Sequence, residues 1–307
     1  MEPEPKIVLV VLGPTAVGKS ALALFLARRF GGEIVNADSM QVYRGFDIGT
    51  DKPSAADRAA VPHHLLDILE PESQFTAADF ARLASQAVRD IQARGRLPIV
   101  AGGTGLYLQA LLDGLFPGPG SDRRIRRDLE KEAVSLGVES LHRRLAAVDP
   151  DCARRIAARD KVRIIRALEV HALTGIPLSR HFARTESRLR DFQPARIGLQ
   201  LDRRNLVKRI ESRVDRMFEA GIVEEVRAHL SRGLGRDAPP FRALGYRHVL
   251  QVLEGTLTVA QAAALTKTDT RRYAKRQMTW FKKMKDVAWF PADDRAAVAD
   301  YVGSLRS

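Results

Sequence analysis

One eight-residue segment constrains the fold more than any other part of the chain. Gly13, Pro14, Thr15, Ala16, Val17, Gly18, Lys19 and Ser20 match the spacing G-x-x-x-x-G-K-[ST]. Residues 6–12 (KIVLVVL) precede it as an unbroken apolar, β-branched run, which predicts a buried parallel strand. Residues 19–30 follow as a predicted helix, ending near Gly31 and Gly32. A strand, a Gly-bounded turn and a helix in that order form the setting in which such a loop binds phosphate. Loop and helix N–H groups converge on phosphate oxygens, Lys19 adds a positive charge, and the Ser20 hydroxyl is a ligand for Mg2+.

The pattern then alternates. Residues 33–36 predict a strand leading into Asp38, and residues 64–69 carry another short apolar run. Thr76 is a predicted N-cap for a helix over 77–94. Residues 97–101 predict a strand running into Gly102, Gly103, Thr104 and Gly105, with a helix over 106–113 behind it. This alternation predicts an α/β fold with a parallel sheet like that of the P-loop NTPases. Pro117, Gly118, Pro119 and Gly120 then form a breaker cluster, and 122–174 reads as short charged helices without a strand. Residues 195–201 predict a return strand, 203–233 and 258–285 helices, 287–290 a last strand and 294–305 a closing helix. The expected organisation is a core of residues 1–120 and 191–307, with C-terminal helices, interrupted by a helical insertion domain at 121–190.

Charge separates these parts. The 307-residue chain carries a net +13, yet residues 1–120 sum to −2 and residues 121–307 to +15. Two readings account for the surplus: an Arg-rich composition of solvated helix faces, or a polyanionic partner, most simply nucleic acid. No stretch approaches the roughly 20 apolar residues of a membrane span. Residues 1–6, with two Glu and two Pro, predict neither a signal peptide nor a transit peptide. A single cysteine, Cys152, fits a reducing cytoplasm, and the seven His show no zinc spacing. The expected assembly is a monomer.

A phosphate loop usually belongs to an ATP-binding or other nucleotide-binding hydrolase or kinase, with an apolar strand ending in Asp to hold Mg2+. Here the 97–101 strand ends in Gly-Gly-Thr-Gly, and Asp38 is the one obvious carboxylate at a strand end. The residues therefore favour diphosphate binding over triphosphate hydrolysis. Ligands of open parallel sheets sit beyond the carboxyl ends of the strands, where Asp38, Thr104 and the loop should converge.

Several segments taken together carry a resemblance. They are GPTAVGKS (13–20), NADSMQVYRGFDIGTDKP (36–53), His63-His64, AGGTGLYLQALLDG (101–114) and RIIRALEVHALTG (163–175). RIESRVDRMFEAGIVEEV (209–226), RALGYRHV (242–249) and RRYAKRQMTWFKK (271–283) complete the order. In this order they resemble the bacterial tRNA dimethylallyltransferase family. The resemblance implies transfer of a dimethylallyl group from dimethylallyl diphosphate to N6 of the adenosine 3′ of the anticodon, in tRNAs reading U-starting codons. Diphosphate would be released, with Mg2+ as cofactor.

By that resemblance Asp38 takes the proton from the adenine amine, a poor nucleophile whose lone pair is delocalised. Gly13, Thr15, Ala16, Val17, Gly18, Lys19 and Ser20 hold the diphosphate, with Ser20 on the metal. Arg213 stabilises the leaving diphosphate, a task suited to a guanidinium fork, although Arg209 and Arg216 lie on neighbouring turns. Thr104 lies near the bridging oxygen or the adenine. The anticodon stem-loop is contacted by Asp38, Ser39, Met40, Gln41 and Thr104, and by Arg126, Val162, Arg163, Ile164, Ile165 and Arg166 of the insertion. Arg242, Gly245, Tyr246, Arg247, Lys275, Arg276 and Trp280 complete the contacts. Trp280 and Phe281 read equally well as stacking platforms or as core. The target base would leave its stack and meet the allylic diphosphate inside a tunnel.

Overall fold

The computed structural model describes residues 6–116, 118–182 and 185–306. Pro117 of the breaker cluster therefore lies outside the described residues. The chain forms two compact units, one of residues 1–112 and 188–307, the other of residues 113–187.

The first unit begins β1 (Ile7–Leu12), α1 (Lys19–Phe30), β2 (Gly32–Asn36), α2 (Ala55–Ala60), β3 (His63–His64), α3 (Ala77–Ala93), β4 (Leu97–Ala101) and α4 (Gly105–Leu112). The second unit is α5 (Arg123–Ser135), α6 (Val138–Val148), α7 (Pro150–Arg155), α8 (Lys161–Thr174) and α9 (Leu178–Phe182). The first unit resumes with β5 (Gln193–Gln200), α10 (Arg203–Glu219), α11 (Ile222–Ser231), the 3-10 turn Pro239–Arg242, α12 (Leu244–Leu253), α13 (Val259–Phe281), β6 (Val287–Pro291) and α14 (Arg295–Ser304).

The six strands are all parallel, in the order β3-β2-β4-β1-β5-β6. β1 lies inside the sheet, so both of its faces are covered, which is why it lacks polar alternation. Val8, Val10 and Leu12 pack with Phe80, Val88, Leu108 and Phe281 on one side. Leu9 and Val11 pack with Leu22, Leu26, Val298 and Val302 on the other. Strand order reverses beside β1, the switch point at which open parallel sheets bind ligands.

Local signals place the surrounding helices. Gly31 ends α1 at φ 65°, and its N–H donates to the Ala27 carbonyl. Thr76 caps α3 in a reciprocal box with Asp79. Gly221, at φ 94°, breaks the expected 203–233 helix into α10 and α11. The 64–69 run does not extend β3: Leu65 and Asp67 adopt positive φ, and the chain turns to bridge Leu69 to Tyr43. The segment after the second unit rejoins the core by residue 188, because Leu189 and Phe192 bury beside Phe80 and Val88.

The second unit has its own core of Leu129, Leu141, Leu145, Ile164, Leu168 and Val170. The Glu169 carboxylate is fully buried there and accepts bonds from Arg126 Nε (2.8 Å), Arg166 Nη1 (2.7 Å) and the Asp122 N–H (2.8 Å). Burial alone would raise its pKa, but the two guanidinium groups and the N–H together hold it below the ordinary value.

Candidate active site

The loop after β1 folds as its sequence requires. Gly13 and Gly18 take φ 146° and 108°, and Ala16 takes φ 63° between them. A left-handed alanine costs about 1–2 kcal/mol, strain of a kind that concentrates at functional sites. A side chain at Gly13 would meet the Leu199 carbonyl at 2.8 Å, so β5 presses the loop from behind. Lys19 opens α1 and donates to the Pro14 carbonyl at 2.8 Å. Its surroundings withdraw it from water, which lowers its pKa to about 8 against the opposing pull of Asp38.

Asp38 stands two residues past β2. Its Oδ1 accepts the Met40 N–H at 2.9 Å, and Oδ2 has no bonding partner among the described residues. The Thr104 hydroxyl, beyond β4, accepts the Ser39 N–H at 3.1 Å and locks the two strand ends together. Gly102 allows this approach: a Cβ there would sit 2.2 Å from the Ala37 carbonyl oxygen.

Arg213 reaches the loop from α10. Its Nη1 donates to Thr15 Oγ1 at 2.8 Å, and its Nε lies 3.4 Å from Asp51 Oδ2. Arg209 and Arg216 line the same cavity but are bonded differently: Arg209 donates to the Val17 carbonyl and pairs with Asp293, and Arg216 donates to Ser212. Of the three, Arg213 is the one that the register of α10 bonds to the Thr15 side chain.

Two cavities meet at these residues. The first, about 540 Å³, is lined by the loop residues Thr15, Ala16, Gly18, Lys19 and Ser20, and by Asp38, Gly103 and Arg213. The second, about 330 Å³, is lined by Ser39, Met40, Arg242, Gly245 and Arg276. Thr15, Asp38, Thr50, Arg213 and Tyr273 line both.

Other expected contacts have different surroundings. Gln41 lies on the first cavity, and its amide donates to the carbonyls of Thr50 and Asp51. The Tyr246 side chain is fully buried, so it does not present a face to RNA; its hydroxyl donates to Glu225 and accepts the Gly49 N–H. Ile164 and Ile165 are core residues of the second unit, so their side chains are likewise withdrawn from solvent. Arg126 and Arg166 carry the Glu169 bonds, whereas Val162 (79% exposed) and Arg163 stand in solvent. Arg247 pairs with Asp269, and Lys275 lines a separate groove between α10 and α13. Phe281 is core, and the half-buried Trp280 covers Gly105.

Two positioning residues escaped the sequence reading. Gln277, buried on α13, accepts the Thr15 N–H at 2.8 Å and donates to the Gly103 carbonyl at 2.8 Å, tying the phosphate loop to the loop after β4. Glu225 accepts the N–H groups of Asp47 (2.6 Å) and Ile48 (2.9 Å), fixing the segment that carries Thr50 and Asp51. A buried amide between Ala274 and Phe281 on the inner face of α13 is the signal for Gln277.

Residues 41–284 match the family model described as IPP transferase. The chain is 52% identical over 288 residues to a tRNA dimethylallyltransferase of Geobacter metallireducens, covering 94% of this chain and 93% of that one. The crystal structure of a full-length tRNA isopentenylpyrophosphate transferase from Bacillus halodurans superposes with a TM-score of 0.72 at 38% identity, over 98% and 97% of the two chains. A eukaryotic dimethylallyltransferase acting on tRNA superposes at 0.81 and 29% identity, over 97% of this chain and 80% of that one. The phosphate loop, the carboxylate at the neighbouring strand end and the similarity along nearly the whole chain agree: the chain belongs to the IPP transferase family.

Proposed function

We propose that this protein transfers the dimethylallyl group of dimethylallyl diphosphate to N6 of the adenosine immediately 3′ of the anticodon, in tRNAs reading U-starting codons. It is a tRNA prenyltransferase, and the observation that carries the finer reading is the meeting of two cavities at Asp38. The cavity on the phosphate loop takes the diphosphate, against Lys19, Arg213 and the loop N–H groups. The adjoining cavity takes the adenine, extruded from the anticodon loop.

The N6 lone pair attacks C1 of the dimethylallyl group. The C1–O bond breaks, and its electron pair leaves on the diphosphate. The N6 proton passes to Asp38, whose Oδ1 is held by Met40 while Oδ2 is left to accept it. Arg213, anchored on Thr15, and Lys19 offset the charge that grows on the leaving oxygen. Mg2+ binds through one or two protein oxygens together with substrate phosphates. Ser20, at the exposed first turn of α1 beside Lys19, would supply such an oxygen. Once bound, the ion would neutralise diphosphate charge.

Ser39, Met40, Arg242, Gly245 and Arg276 line the adenine side and support contact with the loop nucleotides. Val162 and Arg163, exposed on the second unit, support contact with the anticodon stem. Among the described residues no helix is long and apolar enough to cross a membrane. We place the enzyme in the cytoplasm as a monomer.

The test supplies purified protein with labelled dimethylallyl diphosphate, Mg2+ and unmodified tRNA. Label should appear on N6 of the nucleoside 3′ of the anticodon, identified by mass after digestion. Label entering free AMP or ATP and not tRNA would overturn the reading.

A further inference from the structure

Five residues line both cavities, and among Thr15, Asp38, Thr50, Arg213 and Tyr273 only the last brings an aromatic ring to the junction. The other four bring hydroxyls, a carboxylate, a guanidinium and backbone. The group that crosses this junction is an apolar five-carbon fragment, and its C1 gains positive charge as the C1–O bond lengthens. Dry apolar surface and a negative ring face are what such a fragment needs.

Tyr273 is placed for that task by α13. Four residues on, Gln277 pins the same helix to Thr15 and Gly103, so the ring is carried by the element that holds the phosphate loop. The guanidinium carbon of Arg276 lies 5.8 Å from the Tyr273 ring centroid, so the ring already faces one cation. Burial, with Asp38 adding to it, pushes the phenol up to about 12, so the hydroxyl stays protonated and the ring neutral throughout the working range.

Building on the prenyl-transfer reading above, we propose that Tyr273 is a catalytic residue whose ring shields the dimethylallyl group in transit, stabilising the charge at C1 and keeping water off it. In the productive step N6 takes C1, diphosphate leaves with the C1–O electron pair, and the N6 proton goes to Asp38. In the leak that the ring suppresses, a water oxygen takes C1 instead. The leak yields dimethylallyl alcohol, diphosphate and one proton.

The experiment measures both products, prenylated tRNA and dimethylallyl alcohol, from labelled dimethylallyl diphosphate under single turnover. Tyr273→Leu keeps apolar bulk and loses the ring; its transfer rate should fall about tenfold, the scale of a desolvated cation–π contact, and its alcohol fraction should rise. Tyr273→Phe should recover the rate to within about threefold of the parent, with little alcohol. Tyr273→Met serves the same purpose should the Leu variant fold poorly. A Leu or Met variant as fast and as tight against water as the parent would overturn the proposal. So would a Phe variant as slow as Leu, because the hydroxyl would then be the working group. Loss of pyrophosphate and tRNA binding in step with turnover would assign Tyr273 to the fold instead. If the parent itself leaves tRNA unlabelled, the functional reading fails, whatever Tyr273 does.

Discussion

Cations at the phosphate loop and cations on the surface of the second unit are held differently. At the phosphate loop the Arg213 side chain is 19% exposed and anchored on Thr15, and Lys19 is withdrawn enough from water to lose much of its basicity. In the second unit Arg159 is 90% and Arg154 74% exposed, and their ion pairs with Glu139 and Asp151 lie at the surface. A sheltered cation acts strongly and in one direction, because little water competes for its partner. An exposed one acts weakly, at a distance, and subject to salt. The first arrangement suits the charge on a leaving diphosphate; the second suits the diffuse charge of an RNA backbone.

Three measurements would break or sharpen this contrast. The largest effect belongs to the sheltered edge. Asp38→Ala should lower single-turnover prenylation by about 10³-fold while tRNA affinity stays near the parent value. A rate close to the parent would remove Asp38 as the proton acceptor.

The next effect is smaller and runs with pH. Because Lys19 titrates near 8, raising the pH through that value removes the proton that an anion needs. Pyrophosphate affinity should fall about tenfold between pH 7 and 9, and Lys19→Met should flatten that dependence. An affinity that rises over the same window would contradict the sheltered charge.

The smallest effect belongs to the exposed set. Arg163, 61% exposed and 3.6 Å from Asp160, is the cleanest probe. Arg163→Ala should weaken tRNA binding a few-fold and reduce the salt slope by about 1, with turnover at saturating tRNA preserved. A loss confined to turnover would reject the electrostatic division. Arg166 and Arg126 are poorer probes, since removing either also strips the buried Glu169 of a partner.

The local parts of this fold are legible in the sequence. β1, the phosphate loop and α1 are specified within 24 consecutive residues by an apolar run, two glycines and a helical pattern. Asp38 and Thr104 were legible as residues at strand ends, because a parallel sheet brings such ends to one edge. β3 was not, since two polar histidines carry no strand pattern and pair only because β2 lies beside them. That Arg213, and not Arg209 or Arg216, bonds the Thr15 side chain depends on the register of α10, which the sequence does not give. Gln277 and Glu225 act on backbone 262 and 178 residues away in sequence, a distance that no periodicity spans.

The strand order has a further consequence for how the chain is made. β1 pairs on one side with β4 and on the other with β5, which lies beyond the whole second unit. On a ribosome adding about 5–20 residues per second, the nascent β1 waits about 10–40 s for β5 to follow it. Through that interval an apolar strand carries an unpaired edge, the kind of template on which chains aggregate. The second unit, with its own core, can close during the wait. Translation speed between β1 and β5, with residues 113–187 as a large share of that stretch, therefore sets how long the future floor of the active site stays open.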